Sequence, residues 1–309
     1  MKLRWAILLA LLVLPSTVSG ELPDDLAHLE ALATQPEELV SAARRFGLQQ
    51  QSLIEWDLAL IEEYRREGKY DLARTKQAGI TNRVDLMRRA WVYVIERYPN
   101  NARALNYHGE FLYDYDGQQV QAVQNWRVAI KIDEKLAAAH NNLGIHFFHN
   151  GDYRNGLEHL QRALELEDDN PDFLYNMSQM YLIHFPQVGA LLDFSKDKMF
   201  KEAMRMSKDA AKFAPNDYDV LLDYATNFYA GDTYDVEIDW ELAALAWQQA
   251  RTQARTQIQI FFTHLNEGRT WLRADEKENA IEALEAAAAM RPDSRVVEQL
   301  LTKARQATG

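Results

Sequence analysis

The sequence predicts an all-α fold made of one helical hairpin repeated in series. Apolar residues recur with helical spacing from Leu22 onward. Alternating, β-branched strand pattern is absent, and the 13 glycines and 8 prolines fall mostly between helical segments. The third observation is a set of recurring columns. In the first helix of each unit a small residue stands at Gly109, Gly144, Ser178, Ala225 and Gly268. Three residues later a bulky one follows, at Leu112, Phe147, Tyr181, Phe228 and Trp271. The second helix carries a small residue at Ala122, Gly156, Ala203, Ala243 and Ala280, and four residues on Trp126, Leu160, Ser207, Trp247 and Leu284. Three further on, every copy has alanine: Ala129, Ala163, Ala210, Ala250 and Ala287. Small residues let two helices approach closely while the large neighbour fills the space beside them, and one hairpin cannot bury its apolar face alone.

In chain order, Leu26, Leu29 and Ala33, then Leu39, Val40, Ala43 and Phe46, predict two short helices, and 53–66 a longer one. Met87, Trp91 and Val94 stand 35 residues before Ala122, Trp126 and Ala129 and mark the second helix of a degenerate unit, with 53–66 as its first. Gly68-Lys69-Tyr70 echoes Gly151-Asp152-Tyr153, but the register of 48–83 stays open. Residues 21–101 are thus read as N-terminal helices with a degenerate repeat. Five units follow at 102–136, 137–170, 171–217, 218–257 and 261–294, then a capping helix within 295–309 with Val296, Val297, Leu300, Leu301 and Ala304 on one side. Helix stops stand at Tyr98-Pro99-Asn100, Asp169-Asn170-Pro171, Ala214-Pro215-Asn216 and Arg291-Pro292-Asp293.

The segment 137–170 is the clearest copy, with Asn142-Leu143-Gly144, Phe147, Gly151-Asp152-Tyr153, Gly156, Leu160, Ala163 and Leu166. It closely resembles the tetratricopeptide repeat (TPR), a 34-residue helix–turn–helix unit. The resemblance implies a right-handed α-solenoid of stacked repeats whose first helices line a concave groove. Two columns then face that groove: Asn106, Asn141, Tyr175, Leu222 and Leu265, and Tyr113, Phe148, Leu182, Tyr229 and Leu272. Between them lie Glu110, Ile145, Gln179, Thr226 and Arg269. This wall reads as a mainly apolar channel for a protein or peptide partner, with amides for its backbone. The alternative occupants are the chain's own N-terminal helices or the loop of the third unit.

Composition narrows the partner. Lys and Arg total 34 against 46 acids, giving −12, so nucleic acid and anionic lipid are unsuitable general partners. There is no cysteine, which removes disulfides, thiolate metal sites and a cysteine nucleophile. Residues 1–20 carry Lys2 and Arg4, an apolar run from Ala6 to Leu14, Pro15, and Val18-Ser19-Gly20. This is the pattern of a secretory leader cut before Glu21, giving a periplasmic or secreted protein. No later run is long enough for an integral membrane span in the mature chain.

No hydrolase, zinc-protease or phosphate-loop motif occurs, and the chain reads as a non-enzyme without cofactor or metal. His140, His146, His149 and His159 cluster, and His146 and His149 share a helix face, but packing explains His140. The sequon Asn176-Met177-Ser178 lies inside a packed helix, against its modification. Two departures from the repeat stand out. The third and fourth units carry insertions at 182–199 and 230–239, both between first and second helix, so they are expected to be neighbours and to adjust selectivity, or else to be tolerated loops. Pro186 and Gly189 are expected to break the helix there, and Leu191, Leu192 and Phe194 to require burial. The stretch 213–250 has eight acids and no base, interleaved with aromatics, which suits a basic peptide or a cation, or is a solvated face; Asp232, Asp235, Glu237 and Asp239 lack the spacing of a calcium loop. The favoured function is a non-catalytic exported adaptor. The alternatives are a structural subunit of an envelope or secretion assembly using its convex face and ends, and an enzyme or metal-binding protein with a site at the insertions.

Overall fold

The computed structural model describes residues 26–306, so the leader expected at 1–20 lies outside the described residues. The described residues are α-helical, with no strand among them. They form two compact units, meeting in sequence at Asn150 and Gly151.

The first unit opens with the single turn α1 (Ala27–Glu30), followed by α2 (Pro36–Arg66) and α3 (Tyr70–Arg97). The two helices expected within 39–66 are one continuous helix of 31 residues, roughly 46 Å long at 1.5 Å per residue. Pro36 starts it, and Gly47 does not end it, because the glycine is buried facing Trp91. Helices α2 and α3 pair as an antiparallel hairpin. Gly68 turns between them at φ 74°, as Gly151 does at φ 77°. The echo between the two Gly-X-Tyr sequences is therefore a shared turn, with Tyr70 and Tyr153 each beginning a helix. A buried polar knot fixes the register: Asp57 accepts from Lys76 (2.8 Å) and Arg83 (3.4 Å), and Arg83 donates to Gln50 (3.1 Å).

The remaining helices of this unit are α4 (Ala102–Asp114), α5 (Gln119–Ile132) and α6 (Ala137–His149). Asn101 caps α4 by accepting from the Ala104 amide. Helix α4 pairs with α5, and α5 contacts α6. Trp126 is fully buried and lies against Gly109, so the expected small-beside-large packing is present here. His108 is partly buried beside Phe111 and bonded to Asn125 (3.0 Å), and desolvation pushes its pKa down to about 4. Its imidazole is neutral in the native state, whereas the unfolded chain takes a proton below the ordinary value of 6.5. Stability therefore falls as pH drops from about 6.5 to about 4. The expected loss is about 2 kcal/mol, read as a lower urea midpoint at pH 4.5 than at pH 7, and His108→Gln is expected to flatten that difference.

The second unit contains α7 (Tyr153–Leu166), α8 (Pro171–Ile183), α9 (Phe185–Leu192), α10 (Lys196–Phe213), α11 (Tyr218–Asn227), α12 (Gly231–Tyr234), α13 (Trp240–Thr252), α14 (Gln257–Arg273), α15 (Lys277–Met290) and α16 (Arg295–Gln306). Hairpins form from α8 with α10, α11 with α13, and α14 with α15. Neighbouring hairpins meet through α10 with α11 and α13 with α14. Asn170, Ser195, Asp217 and Asp239 cap helices, and Thr256 with Gln259 forms a full capping box on α14. The column alanines of this unit, Ala163, Ala210, Ala250 and Ala287, are all buried. Ser178 donates to the Ala203 carbonyl (2.9 Å), joining the small columns of α8 and α10. Helix α16 packs Val297, Leu301 and Ala304 inward, but Val296, expected on the same side, is 43% exposed.

Candidate functional site

The residues expected to line a groove fare differently in the two units. In the first, Asn106, Glu110, Asn141, Ile145 and Phe148 are buried, and Tyr113 alone of the six keeps part of its surface. Part of the reason is visible in the contacts. Arg44 of α2 reaches Glu110 (2.8 Å) and lies over the Tyr107 ring (4.5 Å). Asn106 donates to Glu110 (2.9 Å), and Asn142 donates to both Asn106 (3.0 Å) and Glu110 (3.2 Å). The N-terminal helix thus supplies an internal partner to this column. Tyr113 touches His149 (3.3 Å) and meets His146 edge-on. Burial lowers the pKa of both histidines, which suits neutral rings packed on a tyrosine.

In the second unit Leu265 is buried in the core with Phe261, Leu284, Val297 and Leu301. Tyr175, Gln179, Leu222, Tyr229, Arg269 and Leu272 all remain partly exposed. They sit on α8, α11 and α14, the first helices of three successive hairpins, except Tyr229, which lies in the short 3-10 turn (Phe228–Ala230) following α11. Polar rungs set these helices beside one another. Gln179 of α8 donates to Asp223 (2.8 Å) and Asn227 (3.3 Å). Tyr229 shares a hydrogen bond with Thr270 (2.8 Å) and donates to the Asn266 carbonyl (3.3 Å) of α14. Within α14, Arg269 donates to the Asn266 side chain (3.1 Å) and is held in place by it. Each such bond contributes about 1 kcal/mol. The rung residues Asn142, Asp223 and Asn266 occupy one column, a single position past the Asn106 column. A polar residue recurring between apolar columns is the sequence signal for them, and it reads as solvated surface until the neighbouring helix is in place.

The insertions are neighbours, as expected. Tyr234 of the second is 2% exposed and donates to the carbonyls of Tyr181 (3.0 Å) and Leu182 (2.7 Å), where the first begins. Its ring lies 4.8 Å from Phe185 and 5.5 Å from Phe200. Burial pushes its pKa up, since the phenol stays a donor. Gly189 does not break α9 but lies within it, buried against Met199. Leu191, expected to be buried, is 37% exposed, while Val188 takes the inward position. Removing only the hydroxyl with Tyr234→Phe strands two carbonyls. The expected cost is about 1 kcal/mol in urea unfolding, with faster proteolysis within 182–199.

The acidic stretch is used locally. Asp232 pairs with Arg273 (2.8 Å), whose guanidinium lies over Trp240 (4.4 Å), and Asp239 caps α13. Among the described residues no group of three or more His, Asp or Glu is arranged to hold a metal ion. Asn176 of the sequon is fully buried in α8. No helix among the described residues is long and apolar enough to cross a membrane.

Residues 137–170 match the tetratricopeptide repeat family model. No curated protein matches the sequence. Among solved structures, the C-terminal part of a TPR repeat-containing protein from Cytophaga hutchinsonii superposes with a TM-score of 0.52 at 14% identity, over 89% of this chain and 99% of that one. PilF of Pseudomonas aeruginosa gives 0.48 at 13% identity, over 82% and 99%. YrrB, described as a TPR protein with an unusual peptide-binding site, gives 0.47 at 17% identity, over 68% and 96%. The first of these likenesses supports an all-α array of stacked helix–turn–helix pairs.

Proposed function

We propose that this chain, a helical-repeat protein carrying a tetratricopeptide repeat, is a non-catalytic adaptor that binds a protein or peptide on the first-helix face of its second unit. The observation that supports this reading is the contrast between columns. The second-helix residues Leu160, Ser207, Trp247 and Leu284 are buried, whereas Tyr175, Gln179, Leu222, Arg269 and Leu272 on three consecutive first helices, and Tyr229 in the turn after α11, keep exposed surface. Aromatic and aliphatic groups beside amide and guanidinium donors fit an extended or helical segment, the apolar groups giving affinity and the donors fixing register. The groove expected in the first unit is not part of the proposal, because its residues are buried.

The leader pattern at 1–20 supports export to the periplasm or the exterior. Mass spectrometry of the protein from its native compartment is expected to show a chain beginning at Glu21; an intact Met1 terminus would overturn export. Binding is tested by affinity capture from the native envelope fraction, comparing the wild type with the Tyr175→Ser, Leu222→Ser, Leu272→Ser variant after circular dichroism has shown its helicity retained. Loss of one specific partner supports the reading, and unchanged capture overturns it.

One observation favours a second reading, a structural subunit of a larger assembly. On α2, Leu48, Leu53 and Trp56 are 46%, 36% and 66% exposed. Under that reading Trp56→Ser is expected to abolish capture while the second-unit variant leaves it intact.

A further inference from the structure

Four carboxylates are buried among the described residues, and each faces a cation. Asp57 has Lys76 and Arg83, Glu110 has Arg44, Asp116 has Arg88, and Glu267 has Arg251. This is what solvation demands, since an ionised carboxylate leaves water at reasonable cost only beside a compensating charge.

Asp223 departs from that pattern. It is partly buried on α11, and its partners are neutral. Its Oδ1 accepts from Gln179 Nε2 of α8 (2.8 Å). Its Oδ2 accepts from Asn227 Nδ2 (2.9 Å) on its own helix and from Ser207 Oγ of α10 (3.4 Å). Burial pushes its pKa up to about 7, and what opposes this comes from those three hydrogen bonds, with no charged group contributing. A carboxylate has about four acceptor positions. Three are taken, which leaves one on Oδ1. The side chain keeps some exposure and stands beside Gln179 and Leu222, two residues of the proposed binding face, with exposed Thr226 one turn further along α11. The surrounding stretch 213–250 holds seven other acids and no base; Asp232 among them is paired with Arg273 of α14, and Asp217 and Asp239 cap helices.

We propose that Asp223 is the seat for a lysine or arginine side chain of the bound protein or peptide, the partner supplying the cation that the chain gives to each of its own buried carboxylates. The inference rests on the binding face proposed above and names the chemistry of its ligand. Gln179, Asn227 and Ser207 hold the carboxylate in one orientation, so that the free position on Oδ1 is fixed before the partner arrives. The pairing requires the ionised form, so a cation at this seat lowers the midpoint of the Asp223 titration.

The test uses the whole protein with aspartate carboxyl carbons labelled with carbon-13 for NMR. The probes are N-acetyl-arginine methylamide and its neutral isostere N-acetyl-citrulline methylamide. The arginine probe is expected to shift the Asp223 carboxyl and the Gln179 side-chain amide and to lower the Asp223 midpoint by at least one pH unit, a tenfold change. Citrulline is expected to do neither. Asp223→Asn keeps an acceptor for the Gln179 amide and is expected to retain the fold while losing the response. Equal responses to the two probes, or an unchanged response in Asp223→Asn, would overturn the proposal. In the capture experiment, at least tenfold weaker recovery of the partner by Asp223→Asn supports it. Wild-type recovery by Asp223→Asn, alongside loss in the Tyr175, Leu222 and Leu272 variant, overturns this inference and leaves the binding face standing.

Discussion

Gly109→Ala is expected to destabilise the first unit by about 3 kcal/mol, the scale of overpacking in a well-filled core. A Cβ at that position would lie 2.5 Å from Nε1 and 2.8 Å from Cδ1 of Trp126. The indole has nowhere to retreat. It is fully buried, and its N–H donates to the Asn106 carbonyl (3.2 Å), so a shift large enough to admit the methyl group breaks that bond. Gly68→Ala is the control. There φ is 74° and no atom lies within 4 Å of the added carbon, so the cost is backbone strain alone, about 1 kcal/mol. Urea unfolding followed by circular dichroism compares the two. A smaller loss for Gly109→Ala than for Gly68→Ala would show that the hairpin contact is not tight at the small column. Gly268 poses the same problem, since its Cβ would lie 2.5 Å from Leu284 Cγ.

Arg88→Ala is expected to cost about 3 kcal/mol or more, for an electrostatic reason. Arg88 on α3 holds the Asp116 carboxylate at the turn between α4 and α5, with Nη2–Oδ1 at 2.5 Å and Nε–Oδ1 at 3.1 Å. Asp116 is 4% exposed, and its other close donor is the amide of Gln118. Without the guanidinium a buried negative charge has no cation, and the chain must protonate it or open the turn. Arg88→Ala with Asp116→Ala together is expected to recover part of the loss, because the stranded charge is gone. A double-mutant cycle by urea unfolding checks this, and purely additive losses would contradict the pairing.

Much of the fold was legible because repetition turns weak signals into strong ones. One alanine in a helix says little, but alanine at Ala129, Ala163, Ala210, Ala250 and Ala287 marks a contact that admits nothing larger, and all five are buried. The N-terminal helices were less legible because Gly47 and the polar run that follows it look like a break. Gly47 instead gives Trp91 room, and Gln50 serves Arg83 inside the hairpin. The groove columns followed from repeat register, which fixes the side of a helix but not what covers it. Arg44 is over 60 residues from Glu110 in sequence, so nothing local announced that the first-unit column would be occupied. The column of Asn142, Asp223 and Asn266 was missed for a related reason. Its meaning depends on hydrogen-bond partners outside its own helix, and those appear only when helices pack within each unit.

Site-specific photocrosslinking tests the binding face most directly. Benzoylphenylalanine is placed singly at Leu222 and Leu272 on first helices, and at Leu245 and Val296, which are 51% and 43% exposed on α13 and α16. The proposed adaptor role predicts one protein adduct of the same mass at 222 and 272 and none at 245 or 296, after irradiation in the native compartment. Adducts at 245 or 296 with none at 222 and 272 would contradict it and place the partner on the second helices and the C-terminal end.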